Sequence, residues 1–148
     1  MELADLLKEQ HILLDLAAES KTDCIQKLAS VMVETNVVKD LEVYKETVLK
    51  REEEGTTGVG FGVAIPHGKS SGVAFPGLAF AKLTNPIDWD SLDGEPVSHV
   101  FLIAVPEEQA GNAHLQILST LSRKLIHEEF RNQLTEAKTI SDIFNILN

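Results

Sequence analysis

His99-Val100-Phe101-Leu102-Ile103-Ala104-Val105 is a nearly unbroken apolar run closed by Pro106. It is too short for an ordinary buried helix and rich in β-branched and aromatic residues, so it reads as a strand buried on both faces of a sheet. Such a strand needs helices above and below it, and the sequence on either side supplies them. Just upstream, Asp93-Gly94 marks a turn, and Gly77 to Leu83 reads as a further strand. Earlier still, the texture from Thr56 is glycine-rich and β-branched: Gly58-Val59-Gly60-Phe61-Gly62-Val63-Ala64-Ile65-Pro66-His67-Gly68, whose second half predicts a short buried strand.

Helical signals flank this central region. A short helix from Leu3 to Lys8 and an apolar run from Ile12 to Leu16 open the chain. Ser20-Lys21-Thr22-Asp23 has the form of a capping box and predicts a helix reaching about Thr35. Asp40 caps the next helix, in which Leu41, Tyr44, Val48 and Arg51 recur at helical spacing before Gly55 ends it. Beyond Pro106, His114, Leu118, Leu121 and Leu125 fall along one helical face, followed by a helix from Glu128 to Leu134 and another opened by Thr139-Ile140-Ser141-Asp142. The expectation is a single α/β domain over residues 1–148, with a mixed β-sheet flanked by helices on both faces and no repeats or linkers.

Composition narrows the function. The 148 residues are 43% apolar and 24% charged, enough to fill one core without disulfides or metals. A formal charge of −10 opposes binding to nucleic acid or to anionic membrane surfaces, so any anion site must be local. Cys24, the one cysteine, falls in an amphipathic pattern with Ile25, Leu28 and Met32 and reads as a buried core thiol. Met1-Glu2-Leu3-Ala4-Asp5 has neither the basic nor the apolar region of a secretory signal, and nothing approaches the ~18 apolar residues of a membrane span. The cytoplasm is the expected compartment.

The chemistry centres on Val63-Ala64-Ile65-Pro66-His67-Gly68. Pro66 holds Ile65 extended and offers no amide, which predicts that strand pairing stops there and that His67 projects beyond the sheet edge. Gly60, Gly62 and Gly68 would let backbone approach a bulky anion. A neutral imidazole nitrogen is nucleophilic near pH 7, and a phosphoimidazole remains an energetic donor. Taken alone, Pro-His-Gly fits an ordinary loop histidine better, with the glycines serving only tight turns.

His114 is expected to face the sheet, where its ring would donate to a bound phosphoryl group or satisfy a backbone carbonyl. Arg51, in the last turn of its helix, suits a phosphate contact through its guanidinium fork, but taken alone it reads first as a surface arginine favouring the helix C-terminus or pairing with Glu53 or Glu54. Thr56 and Thr57 offer hydroxyl donors or plain turn residues. His11, His99 and His127 read as structural or surface residues, and Trp89 as a half-buried packing residue. No His or Cys pair has zinc-ligand spacing, and neither a Walker-type phosphate loop nor a nucleophile elbow is present.

Glu52, then Val59-Gly60, then Val63-Ala64-Ile65-Pro66-His67-Gly68 resembles, position for position, the signature of fructose/mannitol-type enzyme IIA domains of the bacterial phosphoenolpyruvate-dependent sugar phosphotransferase system (PTS EIIA type 2). The resemblance extends over essentially the whole chain, including Asn112-Ala113-His114-Leu115, where that family carries its second active-site histidine. It implies that His67 is phosphorylated through Nε2, that His114 stabilises the phosphoryl group and that Arg51 matches the arginine near the site. It further implies no cofactor or metal, the phosphocarrier protein HPr as donor and a cysteine of an enzyme IIB domain as acceptor. The Pro86 to Gly94 and Gly55 to Gly62 stretches look like the fructose transport type. The alternative expectation is a nitrogen-regulatory IIA-like protein that binds its targets according to phosphorylation state.

Overall fold

The computed structural model describes residues 3–108 and 113–148, and the side chains of residues 113 and 114 fall outside that description. The chain begins with a single helical turn, α1 (Leu3–Leu6), and β1 (Leu7–Leu16). Two 14-residue helices follow, α2 (Lys21–Glu34) and α3 (Leu41–Glu54). The Ser20 hydroxyl accepts from the Asp23 amide and starts α2, while the Asp23 carboxylate returns to the Glu19 amide instead of completing the box at Ser20. Asp40 caps α3 through the Val43 amide, and Gly55 ends it.

The middle of the chain supplies β2 (Gly58–Gly60), β3 (Val63–Ala64), β4 (His67–Ser70), β5 (Gly77–Ile87) and β6 (Val97–Pro106). The last segment is helical: α4 (Ala113–Leu125), α5 (Glu128–Glu136) and α6 (Ile140–Leu147), the last opened by a complete capping box between Thr139 and Asp142. The short helix expected over Leu3 to Lys8 is curtailed at Leu6, because from Leu7 onward the chain pairs with β5.

These strands form one six-stranded mixed sheet in the order β1-β5-β6-β3-β2, with β4 also on β6. β6 is the central strand, antiparallel to β5 and parallel to both β3 and β4. Its burial confirms the reading of its apolar run, since every residue but Ser98 is buried. Alternate residues feed two cores. Ala79, Ala81, Val100, Leu102 and Ala104 meet α2 and α3, whereas Leu78, Phe80, Phe101, Ile103 and Val105 meet α1, α4, α5 and α6. Small residues on the first face let two long helices lie close. Trp89, expected to be half-buried, is fully buried in the first core, where its indole N–H donates to the Thr57 hydroxyl at 3.3 Å.

No helix among the described residues is long and apolar enough to cross a membrane. Cys24 is completely buried, and burial pushes its thiol up to about 12, as befits a core side chain.

Candidate functional site

Pro66 interrupts the sheet edge without ending it. The prediction that pairing stops there is overturned, because β4 resumes at His67 and pairs with β6 from His67↔Ile103 to Ser70↔Pro106. Proline lacks only the amide; its carbonyl still accepts the Ile103 N–H at 3.0 Å and carries the ladder across the gap. His67 is therefore the first residue of an edge strand, half-buried, and not a projection beyond the sheet.

The glycines divide their tasks differently from the expectation. Phe61 and Gly62 form the two-residue turn of the β2–β3 hairpin, both with positive φ (59° and 76°), and Gly60 precedes it at 106°. Gly60 and Gly62 thus serve a turn beside Asp93 and Ser98 instead of an anion pocket. Gly68 does belong to the site. A Cβ there would lie 2.9 Å from Val48 Cγ2, so its absence lets α3 close onto β4. Tyr44 of the same helix is tied to β6, β4's partner strand, by donating to the Ile103 carbonyl at 2.7 Å.

This closure builds a cleft over the sheet edge, lined by Thr47, Lys50, Arg51 and Glu54 of α3 and by His67, Gly68 and Lys69 of β4. Three cationic side chains face one carboxylate, so a chain of net charge −10 presents a locally positive pocket around its histidine. Arg51 and His67 line the same cleft, and Arg51 Nη1 donates to the Gly55 carbonyl at 2.7 Å, where it caps the C-terminus of α3. That cap uses one of the several donors a guanidinium carries. Lys50 and Lys69 were not singled out from sequence. Lys69 was within reach of a period-two argument, since it lies two residues beyond His67 on the same strand.

His67 Nδ1 lies 3.0 Å from the Ile65 carbonyl. A carbonyl accepts only, so Nδ1 carries the proton and, in the neutral ring, the lone pair resides on Nε2. His114 stands in the first turn of α4, but its side chain, and Asn112 before it, lie outside the described residues.

The threonines turn inward. Thr56 donates to the Trp89 carbonyl at 2.9 Å, and the buried Thr57 donates to the Glu52 carboxylate, so neither hydroxyl is offered to the cleft. The remaining histidines serve the structure. His11 is fully buried, bonded to the Leu78 carbonyl at 2.9 Å and Thr35 Oγ1 at 2.6 Å, and its pKa is lowered by burial. His99 is buried against Phe80, and His127 is the exposed N-cap of α5. Among the described residues no group of three His, Cys, Asp or Glu side chains is placed to hold a metal ion.

An α/β domain with a half-buried histidine of defined tautomer in a cationic edge cleft is built for handling anionic groups. Residues 5–148 match the family described as phosphoenolpyruvate-dependent sugar phosphotransferase system, EIIA 2, and the chain belongs to it. It is 39% identical over its whole length to the fructose-specific EIIABC component of Bacillus subtilis, of which it spans 23%. It is 40% identical to the fructose-specific EIIA component of Haloferax volcanii, covering 99% of this chain and 94% of that protein. A nitrogen regulatory protein of Bradyrhizobium diazoefficiens is 38% identical, over 99% of this chain and 95% of that one. Among solved structures, nitrogen regulatory protein IIA-Ntr from Neisseria meningitidis superposes with a TM-score of 0.90 at 32% identity, over 98% of each chain.

Proposed function

We propose that this chain is a phosphocarrier of the sugar phosphotransferase system, of the fructose type, that accepts a phosphoryl group on His67 from HPr and passes it to a cysteine of enzyme IIB. The observation that carries the reading is the Nδ1–H to Ile65 carbonyl bond, which puts the neutral ring's nucleophilic lone pair on Nε2. In the first step Nε2 attacks phosphorus in line as the bond to the donor's histidine nitrogen breaks, and the Nδ1 proton stays in place. In the second, an acceptor thiolate takes the phosphoryl group and the P–Nε2 bond breaks, returning the electron pair to the ring. Little covalent work falls to the protein beyond positioning and neutralising the equatorial oxygens, a task suited to Arg51, Lys50 and Lys69. His114, in the first turn of α4, is assigned the stabilising contact by family resemblance. No metal or cofactor enters these steps. A mannitol-type IIA protein from Escherichia coli with the same fold, at 22% identity, has been solved in complex with phosphorylated enzyme IIB. The compartment in this reading is the cytoplasm.

The test is the intact mass of the protein after incubation with phosphoenolpyruvate, enzyme I and HPr, beside His67→Ala. One acid-labile phosphoryl group is expected on the wild type and none on the variant. Phosphorylation of His67→Ala at the wild-type rate would overturn the assignment. A second reading, regulation of target proteins by phosphorylation state, draws on the likeness to the nitrogen regulatory proteins. A phosphoryl group gained from HPr but not passed on to enzyme IIB would favour it.

A further inference from the structure

Glu52, in the last turn of α3, is only 9% exposed and faces inward, while its neighbour Arg51 lines the cleft. A buried carboxylate must be satisfied, and here two of its partners come from one residue. Thr57 donates its hydroxyl to one Glu52 oxygen and its amide to the other, the latter at 3.3 Å. Lys21 of α2 supplies the counter-charge at 3.6 Å. The Trp89 indole donates to Thr57 Oγ1, so the hydroxyl acts as both donor and acceptor.

Thr57 is thereby clamped at its side chain and its amide, and its carbonyl is the next link. It accepts the Ile65 N–H at 3.0 Å. The Ile65 carbonyl in turn accepts His67 Nδ1–H at 3.0 Å, and Pro66 stiffens the backbone between them. A continuous series of hydrogen bonds therefore runs from a buried carboxylate through two backbone groups to the ring. We infer that Glu52 is a positioning residue that acts through Thr57 and Ile65 to hold His67 in its Nδ1–H tautomer. The catalytic consequence rests on the phosphocarrier reading; the tautomer does not.

The reason for building a charged anchor into the core lies in the edge itself. β3 is two residues long and is separated from β4 by a proline, so the ladder to β6 alone holds the Ile65 carbonyl weakly in place. The Thr57 to Ile65 bond extends the β2–β3 pairing, and Glu52 fixes that extension to α3, the helix that also carries Arg51. One helix thus sets both the phosphate-facing cation and the ring.

The experiment is long-range proton–nitrogen NMR of 15N-histidine-labelled protein, followed to the high-pH limit of the ring signals, on the wild type, Thr57→Val, Glu52→Gln and Thr57→Ser. The wild type and Thr57→Ser are expected to show the Nδ1–H pattern at His67. Thr57→Val and Glu52→Gln are expected to shift it toward Nε2–H, the tautomer that imidazole side chains favour in water. In single-turnover transfer from phosphorylated HPr, the same two variants should lose about ten- to a hundredfold in maximal rate with half-saturation unchanged, as for a misplaced nucleophile. Backbone amide shifts of β6 establish that each variant is folded, and Glu52→Gln decides the matter if Thr57→Val does not fold. A wild-type tautomer and rate in folded Glu52→Gln would overturn the inference while leaving the phosphocarrier reading intact. A tautomer shift in a protein that HPr never phosphorylates would do the reverse.

Discussion

The β5–β6 pair and the β2–β3–β4 edge are built on opposite principles within one sheet. Along β5 and β6 the pairing runs antiparallel from Gly77↔Ala104 to Lys82↔His99, and the side chains are almost wholly apolar and buried on both faces. The edge is cut into pieces of three, two and four residues by a hairpin and a proline. Its order comes from specific hydrogen bonds into the protein: Glu52 to Thr57, Thr57 to Ile65, Ile65 to His67. Apolar burial is non-directional and makes a rigid frame, while directional polar contacts aim a ring. The two histidines that sit on these regions make the same point. His67 meets solvent at the broken edge, whereas His99, on the central strand, is stacked on Phe80 and shut away from water.

Breaking the frame should affect stability most. Phe101 is fully buried and tilts against Phe80 with ring centroids 4.9 Å apart. Phe101→Ala is expected to cost about 3–5 kcal/mol through lost burial and the cavity left behind. Urea unfolding measures it, and a loss below about 1 kcal/mol would show that β6 is less central than its packing implies.

The contrast between the histidines sharpens with pH. Burial, helped by the Lys82 charge and opposed by the Leu134 carbonyl, pushes His99 down to about 4 from an ordinary 6.5. The unfolded chain therefore takes up a proton at this site before the native protein does. The neutral ring's contribution is fully present above pH 6.5 and is lost as pH falls from 6.5 to about 4, amounting to up to about 3 kcal/mol. Unfolding midpoints across that range should fall steeply in the wild type and less in His99→Phe. His11, lowered by burial as well, leaves a residual slope in the variant.

The smallest expected effect lies at the seam between frame and edge. In Gly68→Ala the new methyl would press on Val48 Cγ2 at 2.9 Å and Thr47 Cγ2 at 3.3 Å, displacing β4 from α3. Overpacking of this kind costs about 1–3 kcal/mol. Thermal unfolding measures that cost. A drop in His67 phosphorylation larger than the stability loss explains would locate the seam within the site, and unchanged transfer would confine Gly68 to packing.

Much of this was legible in the residues themselves. The β6 run, the Asp40 and Thr139 caps, the Gly55 stop and the helical faces rest on local propensity and periodicity, which neighbours in sequence determine. His67 and Arg51 were readable as candidates because proline, glycine and a helix C-terminus act locally. Trp89 was misjudged because full burial of an indole depends on a distant partner for its N–H, here Thr57. The resumption of pairing at His67 was equally hidden, since the carbonyl of Pro66 is useful only when Ile103 stands opposite it.

Sequence alone thus determined most of the helices, the central strands, the helix-flanked sheet and the histidine candidate, because spacing and backbone restriction act over a few residues. Only the tertiary structure decided that α3 and β4 share a cleft, that Lys50 and Lys69 join Arg51 there, and that a buried carboxylate reaches the ring through the backbone of two residues, Thr57 and Ile65. Those relations bring together residues far apart in the chain or on different elements, and hydrogen bonds and charges act through distances that only the packed fold defines.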